Sequence, residues 1–148
     1  MKGENALNKA IEHLQVALDE LEARAKDVAD RYWNGVYEKE KQHPGWENRS
    51  DLSLRVRRKG NALMAEWRNI RWVGSKAKGN RRAIADYIKR PDGEYGYNVA
   101  KLRNLAKDWE KPLVEKTEAE MKEVRRRWRH ITKAIKLIKV VHDLETKG

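Results

Sequence analysis

Twelve cations stand close together in the middle of the chain: Arg55, Arg57, Arg58, Lys59, Arg68, Arg71, Lys76, Lys78, Arg81, Arg82, Lys89 and Arg90. Between residues 52 and 90 only Glu66 and Asp86 oppose them, so this stretch is +10 in a chain whose total is +11. The flanks are different: residues 1–51 sum to −3 and residues 91–148 to +4. A guanidinium clamps phosphate oxygens in pairs and also fits the edge of guanine. Such a concentration of charge exceeds what solubility requires and is the footprint of polyanion binding. Nucleic acid is the preferred class of partner, ahead of a membrane surface or an acidic protein. Trp67, Trp72, Tyr87, Tyr95 and Tyr97 lie among these cations. Trp67 and Trp72 suit a core better than base stacking.

The local pattern says how the cations are held. In residues 52–58, Leu52, Leu54 and Val56 alternate with Ser53, Arg55 and Arg57, and Lys59 continues the second series. Strict period two predicts a half-buried strand with one cationic face. Lys59–Asn61 reads as a hairpin turn around Gly60. A second strand is expected over Trp67–Val73; the residues before it, 61–66, are also compatible with a helical start, because Ala, Leu, Met and Glu favour helix. Residues 74–80 read as a flexible cationic loop. Residues 81–90 allow either a short helix capped by Asn80 or a third strand at Tyr87–Arg90 ending in the Pro91–Gly93 turn. A small three-stranded antiparallel sheet is the favoured reading.

Two long arms flank this centre. Leu7, Ile11, Leu14, Leu18, Leu21, Ala25, Val28 and Tyr32 step by alternating fours and threes, a heptad seam. Pro44 and Gly45 end it. Val114, Thr117, Met121, Val124, Trp128, Ile131, Ile135, Ile138 and His142 repeat the pattern. Each stripe must be buried. An antiparallel helical hairpin with the centre at its tip does so; self-association of arms from two chains into a homodimer is the competing solution, and the period does not choose between them. Between the centre and the second arm, Asn98 is expected to cap a helix over 98–110 that ends or kinks before Pro112. On the second arm, Glu118–Lys122 and Glu123–Arg127 read as supporting surface pairs. The late cations Arg125, Arg126, Arg127, Arg129, Lys133, Lys136 and Lys139 read equally as solvated surface or as a second nucleic-acid contact. The expected class is mostly α with a small β element (α+β), with all-α as the alternative. The segments are an N-terminal coiled-coil arm at 1–42, a basic centre at 43–97 and C-terminal helices at 98–148.

Little in the chain resembles catalytic machinery. There is no Cys, which excludes disulfides and thiolate chemistry and fits a reducing compartment. The four His are scattered without ligand spacing, and no glycine pattern matches a phosphate loop. Pro91–Asp92 with Glu94 has part of a metal-nuclease pattern but lacks the following Lys; a turn explains it better. Glu66 and Asp86 are better read as charge compensation for nearby Arg than as metal ligands. No catalytic residue, metal or cofactor is therefore expected. Mean hydropathy is −0.99, no window nears the ~18 apolar residues of a membrane span, and the start of the chain has no apolar signal core. A soluble, cytoplasmic protein is expected.

The centre and the helical segment after it also resemble a known family. The residues are SerLeuArgValArgArgLysGlyAsn at 53–61, GluTrpArgAsnIleArgTrpVal at 66–73, TyrIleLysArg at 87–90 and LysLeuArgAsnLeuAlaLysAspTrpGlu at 101–110. Over roughly residues 50–130 the chain is similar to the MobI-type proteins of conjugative plasmids and integrative conjugative elements. The resemblance implies an accessory factor that acts at the origin of transfer and helps a relaxase to initiate, with no catalytic residues to carry over. Both readings lead to a duplex DNA-binding protein without chemistry. An RNA-binding or ribosome-associated module, and a coiled-coil adaptor with a basic head for an acidic protein, are the alternatives.

Overall fold

The computed structural model describes residues 2–147, with side chains from residue 5 onward. Helix α1 runs Lys2–Gln42 and helix α3 runs Lys111–Lys147, with the short helix α2 at Val99–Leu105 before it. At about 1.5 Å per residue the 41 and 37 residues of the two long helices give arms of roughly 62 and 56 Å. Between them, β1 (Leu52–Lys59), β2 (Ala62–Val73) and β3 (Arg82–Tyr87) form an antiparallel meander in the order β1-β2-β3. The α+β architecture matches the expectation from sequence.

The heptad seams meet each other. Leu18, Leu21, Ala25, Val28 and Tyr32 of α1 are buried with Val114, Met121, Val124, Trp128 and Ile135 of α3 in one core. The direction is antiparallel, because Arg31 pairs with Glu120 at 3.2 Å while Leu113 lies against Gly35. A Cβ on Gly35 would come within 2.8 Å of a Leu113 methyl carbon, which accounts for a glycine inside a long helix. The seam is thus consumed within one chain. At the far end of α3 a different stripe stays bare: Leu137, Val140, Val141 and Leu144 are all exposed.

The sheet does not stand at the tip of the hairpin. It folds back along the two helices, because its apolar face needs cover that the helix pair supplies. Leu52, Leu54, Ala65 and Trp67 turn inward into the same core. Tyr32 of α1 meets the Trp67 ring edge-on at 5.0 Å, and the Trp128 indole of α3 donates to the Asn61 carbonyl at 2.9 Å. The Trp33 indole donates to the Leu54 carbonyl on β1, so a helix side chain occupies part of that edge strand.

Three local expectations change. Residues 62–66 are strand, not the start of a helix: Ala62–Glu66 pair one for one with Arg55–Lys59. The hairpin ladder overrides a weak intrinsic preference for helix. The two-residue turn at Gly60–Asn61 carries its positive φ, 59°, at Gly60, as a tight hairpin of this length demands. The third strand is Arg82–Tyr87 rather than 87–90, and only the Ile88 amide, bonded to the Trp67 carbonyl, continues the ladder. The helix begun at Asn98, whose side chain accepts from the Lys101 amide, stops at Leu105. Pro112 then falls in the first turn of α3, where the missing N–H costs nothing.

Two buried carboxylates tie these pieces together. Glu118 and Arg125, one heptad apart on α3, form a two-pronged pair at 2.9 and 3.0 Å with side chains only 2% and 4% exposed. Glu118 also accepts from the Trp67 indole and the Tyr97 amide, and Arg125 donates to the carbonyls of Ala65 and Tyr95. One ion pair therefore joins helix, central strand and the loop after β3. Glu118 is not the solvated helix residue that its spacing to Lys122 suggested. Glu110, fully buried, accepts from Tyr32 Oη at 2.6 Å, from Ser50 Oγ and from the Lys107 amide.

Burial raises the Glu110 pKa above the usual 4.5, against the pull of the Ser50 and Tyr32 hydroxyls. A raised carboxyl pKa stabilises the fold fully below the ordinary value and loses that contribution as pH rises through the folded one. Glu110→Gln keeps the acceptor without the charge. Its stability relative to wild type is expected to grow as pH rises from about 4.5 to neutral, as read by urea denaturation at a series of pH values. A gap that stays constant across that range would contradict this account of Glu110.

Candidate nucleic-acid interface

Alternation in the sheet sorts the twelve central cations onto different sides. Arg55, Arg57 and Lys59 of β1 and Arg68 of β2 share the outer face, with Lys59 at its end beside a groove against α3; the register sets Ser53 opposite Arg68 and Arg55 opposite Glu66. Arg58 and Arg71 fall on the opposite side. Arg58 reaches back to α1, where Asp19 and Glu22 take its Nη1 at 2.6 and 3.1 Å, and it covers the Trp128 ring. Those hydrogen bonds, Asp19 first, raise its already high pKa. Arg71 pairs with Asp86 at 2.5 Å. Arg58 belongs to the scaffold, and Arg71 is an exposed residue on the side opposite the outer face. Arg82 shares their side of the sheet, opposite Val73.

The outer face is partly prearranged. Arg55 donates to the Tyr87 hydroxyl at 3.1 Å, Arg68 donates to Ser53 Oγ at 3.0 Å and lies over the Tyr87 ring, and Arg57 is 3.4 Å from Glu66. The two central carboxylates therefore each hold an arginine, as charge compensation predicts. Next along β2 comes Trp72, which is 48% exposed and not in the core; Trp67 is the buried one. Trp72 meets Trp46, from the turn after α1, with ring centroids 5.2 Å apart. The Arg81 guanidinium sits 4.9 Å from the Trp46 ring and 5.2 Å from the Trp72 ring. Nothing in the sequence joins Trp46 to Trp72, since the two lie in separate elements and meet only when the sheet folds back.

The loop between β2 and β3 is a shaped turn rather than a slack one. The Ser75 amide donates to the Asn80 side chain at 2.7 Å and the Asn80 amide returns to the Ser75 carbonyl. Gly74, at φ 82°, passes so close to Asn80 that a Cβ would collide with its carbonyl oxygen. This turn holds Lys76 and Lys78 out in solvent beside Arg81. Lys89 is exposed near Asp92, at 3.7 Å. Arg90 points elsewhere, into a groove against α3.

The outer face thus gathers Arg55, Arg57, Lys59 and Arg68, with Arg81 over Trp72, along one side of a twelve-residue strand, and the exposed Lys76 and Lys78 lie in the loop that follows. At about 3.3 Å per residue that strand is roughly 40 Å long, a little over one turn of duplex. Among the described residues no group of three His, Asp or Glu could hold a metal, and no helix is long and apolar enough to cross a membrane.

A family model described as MobI protein matches residues 21–139, which take in most of α1, the whole sheet and most of α3. The match supports a role in conjugative mobilization. No curated protein and no solved structure matches the chain.

Proposed function

The chain belongs to the MobI family, and on that premise we propose that it is a non-enzymatic accessory protein that binds duplex DNA at the origin of transfer and helps a relaxase to initiate conjugation. The observation that carries the DNA-binding part is the outer sheet face. Arg55, Arg57 and Arg68 project from the side opposite the buried sheet residues, Lys59 follows at its end, and a loop adds three more. Guanidinium groups on a rigid sheet position a sugar–phosphate backbone well, and Arg can read base edges from a ribbon lying in a major groove. The helical hairpin behind the sheet is the frame that keeps the face flat and presents the arms to a partner. A second copy pairing through the arms has the bare stripe at Leu137, Val140, Val141 and Leu144 to use, because the seam is already filled.

The test is competition. A labelled origin-of-transfer duplex bound to the protein is challenged with unlabelled origin duplex, random duplex and structured RNA at fixed salt. The reading expects the origin duplex to displace the label at the lowest concentration and RNA at the highest. Displacement by RNA at lower concentration than either duplex contradicts it and favours an RNA-binding module.

A further inference from the structure

The outer face is not the densest source of unpaired charge. A groove of about 840 Å³ runs between α3, the β1–β2 turn and the segment after β3. Lys59 and Arg90 stand on one wall, and Arg129, Lys133, Lys136 and Lys139 stand on the other, with Glu94 as the opposing carboxylate. Arg125 also lines it but is spent on Glu118. Glu115, Glu118, Glu120 and Glu123 of α3 are committed elsewhere. Glu123 is held down to about 2 by Arg126 first and then Arg127, and Glu120 goes to Arg31. Among the described residues, the charged groups of the six groove cations take part in no ion pair or hydrogen bond; Arg129 meets Thr132 only through its backbone carbonyl. Holding like charges this close without partners costs stability, so their convergence points to an anion that arrives from outside.

We propose that this groove is a second phosphate-binding site for the same duplex, a deepening that rests on the DNA-binding reading above. The four α3 cations span eleven residues, about 15 Å of helix axis, or roughly four base steps along one strand. Lys59 belongs to both surfaces: it continues the alternation of Arg55 and Arg57 on β1 and lines the groove. The DNA backbone passes from the outer face around the Gly60–Asn61 turn and into the groove at that residue.

The test is the triple substitution Lys133→Gln/Lys136→Gln/Lys139→Gln, all on exposed positions of α3, beside a control triple Lys26→Gln/Lys39→Gln/Lys116→Gln of equal charge change. The readout is the slope of log affinity against log salt for a random duplex. Loss of three phosphate contacts is expected to reduce the magnitude of the slope by about 2.7, at ~0.9 per contact, with the control close to wild type. If the wild type binds duplex with a steep slope and the groove triple matches the control, the groove is not a DNA site while the outer-face reading stands. If the wild type binds no duplex, both fall.

Discussion

Glu118→Ala is expected to destabilise the protein by roughly 3–5 kcal/mol, the range for removing one partner of a buried ion pair. The reason is what remains. Arg125 keeps its charge with a side chain 4% exposed, and the Trp67 indole and the Tyr97 amide lose their acceptor. Buried donors left unmade add their own penalty. Guanidinium denaturation reads the loss directly as a fall in midpoint at unchanged slope. Replacing Glu118 and Arg125 together with Leu and Met is expected to recover the part that comes from the orphan charge, while the Trp67 indole and the Tyr97 amide stay unpaired. A loss below about 1 kcal/mol for the single change would place the pair with ordinary surface pairs and remove it as the joint between α3, β2 and the loop after β3.

The largest functional effect is expected from Arg55→Gln/Arg57→Gln/Arg68→Gln on the outer face. Three fewer phosphate contacts predict a loss on the order of ten- to a hundredfold in duplex affinity at moderate salt, with the salt slope smaller by about 2.7. Arg71→Gln is the single-charge comparison. Its guanidinium holds Asp86 on the other side of the sheet, so affinity is expected to stay within about twofold of wild type, a difference of a few tenths of a kcal/mol. A loss for Arg71→Gln of about one third of the outer triple's, on a logarithmic scale, would mean that the binding follows net charge and not this face. Arg58→Gln separates the two roles further. That residue is bound by Asp19 and Glu22, and its removal is expected to lower stability before it lowers affinity.

Much of the fold is legible in the residues. The heptads of both arms and the alternation at Leu52–Lys59 name their own buried faces, because one period fits each segment. Ala62–Glu66 cannot be read the same way. Their intrinsic preference is helical, and the pairing that makes them strand is a long ladder with β1 that no local window contains. The third strand reads too late, toward Tyr87–Arg90, for the same reason. Its register is fixed by Arg68–Val73 across the sheet, not by its own weak alternation.

The candidate site divides along similar lines. Twelve cations are visible as a cluster, but which side each one takes depends on register. A one-residue count along β1 separates Arg57 and Lys59 from Arg58, and the pairing of β2 with β3 separates Arg68 from Arg71. Trp72 reads as a core residue; it lies outside with Trp46, a neighbour that only the folded-back sheet supplies. Glu118 and Arg125 are hidden by the charged run around them. The available signal is their seven-residue spacing beside Met121, Val124 and Trp128, which puts both on the buried side of α3.

The measurement closest to the central claim is the affinity of the wild-type protein for a random duplex between roughly 50 and 200 mM salt. With six to ten phosphates neutralised, affinity is predicted to fall by about 10³–10⁵-fold over that range. A flat response would contradict the account, because neutralising phosphates with these cations must release counterions.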